Sequence, residues 1–207
     1  MDQYLVYLLI VIITVASPGP GVVLTLSNAI RYGIKPTMAA VFGIALGILI
    51  IASVSATSLG LLLATSAFAF MVIKFIGAAY LVYLGIKLWR SPAIKLEVNK
   101  GNVKDQAPLY GKRFKEGLLV SLLNPKPIFF FMSLFPQFID PQQSYIFQFT
   151  LLTLTFCSVV IVIHTFYAFG ANAIKSWLLS SKGSKVVNRV GGSVFILFGF
   201  GLASSQR

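Results

Sequence analysis

"VASPGPGVV", residues 15–23, sets Pro18, Gly19, Pro20 and Gly21 in the middle of an otherwise apolar stretch. A second stretch, "LLNPKPIFF" at 122–130, repeats the interruption with Asn124, Pro125, Lys126 and Pro127. Proline removes a backbone donor and clashes with the carbonyl four residues back. Inside a bilayer such a break is tolerated only where it is buried in protein or lines a wet cavity. A single break reads as a kink packed by its neighbours. Two at corresponding places read as one device used twice.

The surrounding chain supports a membrane setting. Its 207 residues are 57% hydrophobic and 11% charged, with mean hydropathy +0.87; soluble domains carry about a quarter charged residues. The length allows one compact helical bundle, a single transmembrane domain over 1–207. Cys157 is the sole cysteine, which excludes an internal disulfide framework. No Lys or Arg precedes the apolar run from Tyr4, so this segment reads as a retained helix rather than a cleaved leader.

With about 20 apolar residues needed per crossing, six spans are expected, at 4–30, 37–63, 67–88, 114–136, 145–172 and 187–205. Basic residues gather in alternate connections: Arg31 and Lys35; then Lys87, Arg90, Lys95, Lys100, Lys104, Lys112, Arg113 and Lys115; then Lys175, Lys182, Lys185 and Arg189. Basic loops stay cytoplasmic, so both termini are expected on the outer side. The net charge of +12 is thus a topology signal, with attraction to anionic membrane lipid as a by-product. No soluble basic face exists on which nucleic acid would bind.

Residues 91–113, the long polar stretch, divide the chain into repeat one (1–90) and repeat two (114–207), joined by a cytoplasmic linker. "KFIGAAYLVY" at 74–83 aligns with "RVGGSVFILF" at 189–198. Pro18 and Pro125 break the first span of each half. Three spans per repeat is odd, so the second repeat is inverted in the membrane. Paired interruptions of this kind point to the central site of a transporter. Each half-helix beyond a break aims free N–H groups and a positive dipole end at the midplane, which suits a carboxylate.

Ser17, Gly21, Thr25 and Asn28 share one helix face; a cavity lining and a small-residue packing seam are both open readings of it. Gly43 and Gly47 read as a GxxxG packing contact. Asn124 and Lys126 flank the second break, and a Lys far from either end of its span is a functional candidate by default. Lys74 lies close enough to its span's end to snorkel. His164 is deep in the fifth span, as a site residue or a satisfied core histidine. Tyr80, Tyr83, Trp89 and Trp177 read as interface aromatics. No Asp or Glu occurs between Asp2 and Glu97, between Glu116 and Asp140, or after Asp140. A carboxylate relay is therefore not expected; any proton coupling falls to Lys126, His164, Glu116 or water.

"SPGPG" with the following "AIRYGIKPTMAAVFGIALG", "FIGAAYLVYLGIKLWRS", "FKEGLLVSLLNPKPIFFFMSLFPQFI" and the final "RVGGSVFILFGFGLA" together resemble the LysE/RhtB family of bacterial amino-acid exporters along nearly the whole chain. The resemblance implies six helices in a 3+3 inverted repeat, an inner-membrane location, and efflux of amino acids such as homoserine, threonine, leucine or lysine, with proton exchange. Many members carry Asp, Asn or a similar polar residue after the PGP, where this chain has Gly21.

These readings define an all-α polytopic membrane protein that exports small amino acids with uncharged side chains, since nothing acidic awaits a side-chain ammonium. The substrate-binding candidates are Ser17, Pro18, Gly19, Pro20, Gly21, Asn28, Asn124, Pro125 and Lys126. The carboxylate is expected on Lys126 and on N–H groups after the breaks, the ammonium on Asn124, Asn28 and freed carbonyls. No catalytic residue, metal or cofactor is called for, and a homo-oligomer is compatible with the sequence. A metal-ion exporter would want His, Cys or Asp clusters, where His164 and Cys157 are too little. A membrane thiol oxidoreductase would need two cysteines.

Overall fold

The computed structural model describes residues 2–17, 19–65, 67–91, 110–140, 142–178 and 180–204. Pro18 and linker residues 92–109 lie outside the described residues, as do the side chains of Lys74 and Trp177. Every regular element described is helical: α1 (Asp2–Ala16), α2 (Pro20–Tyr32), α3 (Ile34–Thr65), α4 (Ala67–Trp89), α5 (Tyr110–Leu122), α6 (Pro125–Phe129), α7 (Tyr145–Leu178) and α8 (Ser181–Ser204). Between α6 and α7 the chain forms a π turn at Phe130–Leu134 and a 3-10 turn at Phe135–Phe138.

The interruptions have local causes. α1 and α2 are set at 55° across the SPGP break. Pro20 occupies the first turn of α2 and Pro125 that of α6, where a missing N–H costs nothing. Pro136 follows the π turn; its ring crowds the carbonyl four residues back, and a widened turn relieves that crowding. The expected loop at 31–36 shrinks to Gly33, whose φ of +80° a glycine adopts without strain.

Two described helical stretches, Ile34–Ala56 and Tyr145–Ala171, are long and apolar enough to cross a membrane; the bent pair Gln3–Ala16 and Pro20–Tyr32 makes a third if taken as one broken span. Phe75–Trp89 is a shorter apolar helix. Large apolar side chains face outward along them, among them Leu9, Val54, Ile76 and Phe166. Polar ones, Thr14, Ser17, Thr25, Asn28, Ser121 and His164, are buried. That is the inverse of a water-soluble surface and suits a lipid surround.

Two seams organise the packing. α3 lies along α5, and α4 along α8. In the first, a Cβ on Gly43 would come within 2.9 Å of the Leu118 backbone N, one on Gly47 within 2.6 Å of Ser121 Cβ, and one on Gly117 within 3.0 Å of Ala40 Cα. The GxxxG expectation at Gly43 and Gly47 is thereby met, with α5 as the partner. An aromatic core of Tyr7, Phe130, Phe131, Phe135 and Phe156 joins α1, the π turn and α7, and Tyr7 anchors it through a 2.8 Å bond to the Leu152 carbonyl. Tyr80 stacks on Phe129 with centroids 3.8 Å apart. Tyr83 and Trp89 are exposed, and Trp89 Nε1 donates to the Arg189 carbonyl at 2.8 Å.

Candidate functional site

The two breaks meet. Lys126 Nζ donates to the Ser17 backbone carbonyl at 3.1 Å and to Ser17 Oγ. In an unbroken helix that carbonyl would accept from the amide of residue 21; the break frees it for the ammonium. Phe195 of α8 adds a ring face, 5.7 Å from Nζ to centroid. The Arg113–Glu116 ion pair, at 2.8 Å, lies elsewhere, and among the described residues no carboxylate is paired with Lys126.

Around this contact lies a cavity of about 50 Å³, with room for a few water molecules. The first break contributes Ser17, Gly19 and Gly21, and the second Asn124, Lys126 and Pro127. α1 adds Thr14, α5 Ser121 and α7 His164, while Ile44, Ile48, Phe156 and Val160 give apolar walls. His164 is fixed by a 2.7 Å bond between its Nδ1 and Thr25 Oγ1. A Cβ at position 21 would stand 3.2 Å from His164 Cε1, so glycine there leaves the imidazole room over the start of α2.

The two half-helix ends are not equivalent donors. In α2 the Val23 amide already bonds the Gly19 carbonyl at 3.0 Å, and Pro20 has no N–H. Gly21 and Val22 keep amides with no partner inside the helix, at an N-cap that supplies no side-chain bond. In α6, Pro125 and Pro127 have no N–H, and Asn124 Oδ1 accepts from the Lys126 amide at 3.1 Å. Ile128 is the first residue to close the helix on Asn124. The second break therefore offers its Lys side chain rather than backbone amides.

Of the other expected site residues, Pro20 and Pro125 are exposed in the first turns of α2 and α6. Asn28 is buried within α2 but is not in the cavity lining. Glu116 is also outside the lining, its carboxylate paired with Arg113, whose guanidinium lies 4.3 Å from the Tyr32 ring centroid. Pro18 lies outside the described residues. Thr14 and Ser121 were not foreseen. Thr14 sits three residues before Ser17 and Ser121 three before Asn124; both spacings were in the sequence.

A broken-helix membrane protein with an ammonium facing a small cavity between its two breaks belongs to the transporter class in which irregular backbone lines the central site. A family model described as LysE type translocator matches residues 12–206, and the chain belongs to that family. It is a membrane translocator, not an enzyme. It is 37% identical over 206 residues to a homoserine/homoserine lactone efflux protein of Salmonella typhimurium, covering 99% of this chain and 98% of the relative. The protein of that name from Salmonella typhi is also 37% identical over 206 residues, with the same coverage. An uncharacterized membrane protein of Vibrio cholerae is 34% identical over 203 residues, 98% of this chain and 97% of its own. No solved structure matches.

Proposed function

We propose that this chain is a secondary transporter that exports a short amino acid with an uncharged side chain, homoserine above all, across the bacterial inner membrane. The observation that carries this reading is Lys126: an ammonium held by Ser17 beside a cavity with no acidic lining. The amino acid's carboxylate takes Lys126 and the free amides of Gly21 and Val22; its ammonium takes the Ser17 carbonyl that Lys126 gives up. The names of the Salmonella relatives support the substrate, and the lack of an acidic partner argues against a cationic side chain. Among the described residues no three His, Cys, Asp or Glu are grouped to hold a metal, so nothing favours a metal-ion substrate.

The architecture of this reading is a single transmembrane domain of six spans, a 3+3 inverted repeat with both termini outside and linker 91–113 in the cytoplasm. Contact between the two breaks supports the repeat. So does the placing of Tyr80 and Phe195, the aligned aromatic positions, around one small second cavity beside Lys126. The cavity at Ser17 is smaller than an amino acid, so substrate enters as the two breaks part. Exchange for protons falls to Lys126 and His164, the protonatable groups of the lining. Counterflow by purified protein in vesicles, screened over neutral and cationic amino acids, tests the reading. Homoserine moving ahead of lysine is expected; lysine moving best overturns it.

A further inference from the structure

Helical Ser and Thr hydroxyls in a low-dielectric surround ordinarily bond back to the carbonyl four residues earlier. Thr37, Ser53 and Thr155 do so here, at 2.7–2.8 Å. Thr14 and Ser121 do not: their hydroxyl oxygens are buried with no hydrogen-bond partner, although the side chains are only 4% and 2% exposed. Both line the Lys126 cavity. Thr153 is likewise unpartnered but is not in that lining. A buried hydroxyl left unpaired costs stability, so two of them on one small cavity call for a ligand.

We propose that Thr14 and Ser121 form a hydroxyl-reading subsite that selects substrates bearing a short side-chain hydroxyl over their deoxy counterparts. The inference rests on the transport reading above and assigns its selectivity. A hydroxyl both donates and accepts, so two such groups match the donor and acceptor of a substrate –OH. An aliphatic substrate of the same shape leaves both unpaired, and sites built this way reject the analogue that lacks the group. Gly47 sets the position of Ser121, since a side chain there would displace it. The apolar Ile48 and Phe156 walls admit the connecting methylenes.

The test compares uptake of L-homoserine and L-2-aminobutyrate, which differ by that hydroxyl, into vesicles holding the full-length protein. The wild type is expected to prefer homoserine, and Thr14→Val or Ser121→Ala to cut that preference by about tenfold, the worth of a hydrogen bond. Thr14→Ser keeps the hydroxyl and should keep the preference. Removing an unpaired hydroxyl should leave the melting temperature equal or higher; a clear fall would mean the hydroxyls are structurally bonded and would overturn the assignment. So would an unchanged preference in both variants, an equal loss for both substrates, or a wild type without preference. A wild type that moves neither amino acid would instead overturn the transport reading, and this inference with it.

Discussion

Lys126 Nζ donates to the backbone carbonyl of Ser17 at 3.1 Å, across 109 positions of sequence. One break supplies the cation and the other the acceptor that its own interruption exposed. Neither the Ser17 carbonyl nor the Lys126 ammonium has a partner within its own break, so the pair acts as a latch between the two breaks. On the proposed transport reading, a carboxylate arriving at Lys126 would displace the neutral carbonyl, because a charge-assisted bond is the stronger. Substrate binding and release of the latch would then be one event.

The latch depends on the Asn124 cap, which holds the Lys126 amide. Asn124→Ala should destabilise the protein by about 1 kcal/mol, the usual worth of an N-cap. It should also weaken homoserine transport, because Lys126 loses its backbone anchor. Thermal melting in detergent and vesicle uptake check the two effects separately.

The Thr25–His164 bond ties α2 to α7 beside the cavity. Thr25→Val leaves the imidazole nitrogen without its partner, a loss of about 1–3 kcal/mol. His164→Leu strands the Thr25 hydroxyl in the same way. The double variant should lose less than the two single losses added together. Additive losses in a double-mutant cycle of melting data would show that the bond does not couple the helices.

Close packing of α3 on α5 sets Ser121, and Gly117 is where their backbones touch. Its added Cβ would fall 3.0 Å from Ala40 Cα. Gly117→Ala should therefore cost about 1–3 kcal/mol or more through overpacking. Gly111→Ala, with nothing within 4 Å, should melt like the wild type. Equal melting of both variants would contradict the seam.

Much of this was readable from residue types because Pro and Gly carry backbone chemistry. The two breaks, the Gly43–Gly47 seam and the isolation of Lys126 from any acid follow from local sequence alone. The partner of Lys126 did not, since a contact over 109 positions depends on how helices pack. The unequal donor supply of the two breaks was within reach: "NPKP" contains two residues without N–H and a capping Asn. The stacking of Tyr80 on Phe129 was not readable, because apolar periodicity does not say which aromatic ring a helix face will meet. Thr14 and Ser121 went unnoticed because an isolated hydroxyl in a helix usually satisfies itself.

Orientation is open to direct labelling. In a Cys157→Ser background, Asn102→Cys should stay unreactive to an impermeant thiol reagent added outside intact cells. Gln142→Cys, in the turn before α7, should react. Labelling of Asn102→Cys from outside would reverse the assigned topology.

The central claim is that Lys126 receives the substrate's carboxylate, and Lys126→Met tests it by keeping most of the apolar stem while removing the charge. Homoserine has a free carboxylate; its lactone has none. Binding of both to purified wild-type and variant protein should show homoserine weakened by about tenfold to a hundredfold, the worth of a charged hydrogen bond, and the lactone weakened far less. Equal weakening of the two, or homoserine binding at wild-type strength, would contradict it.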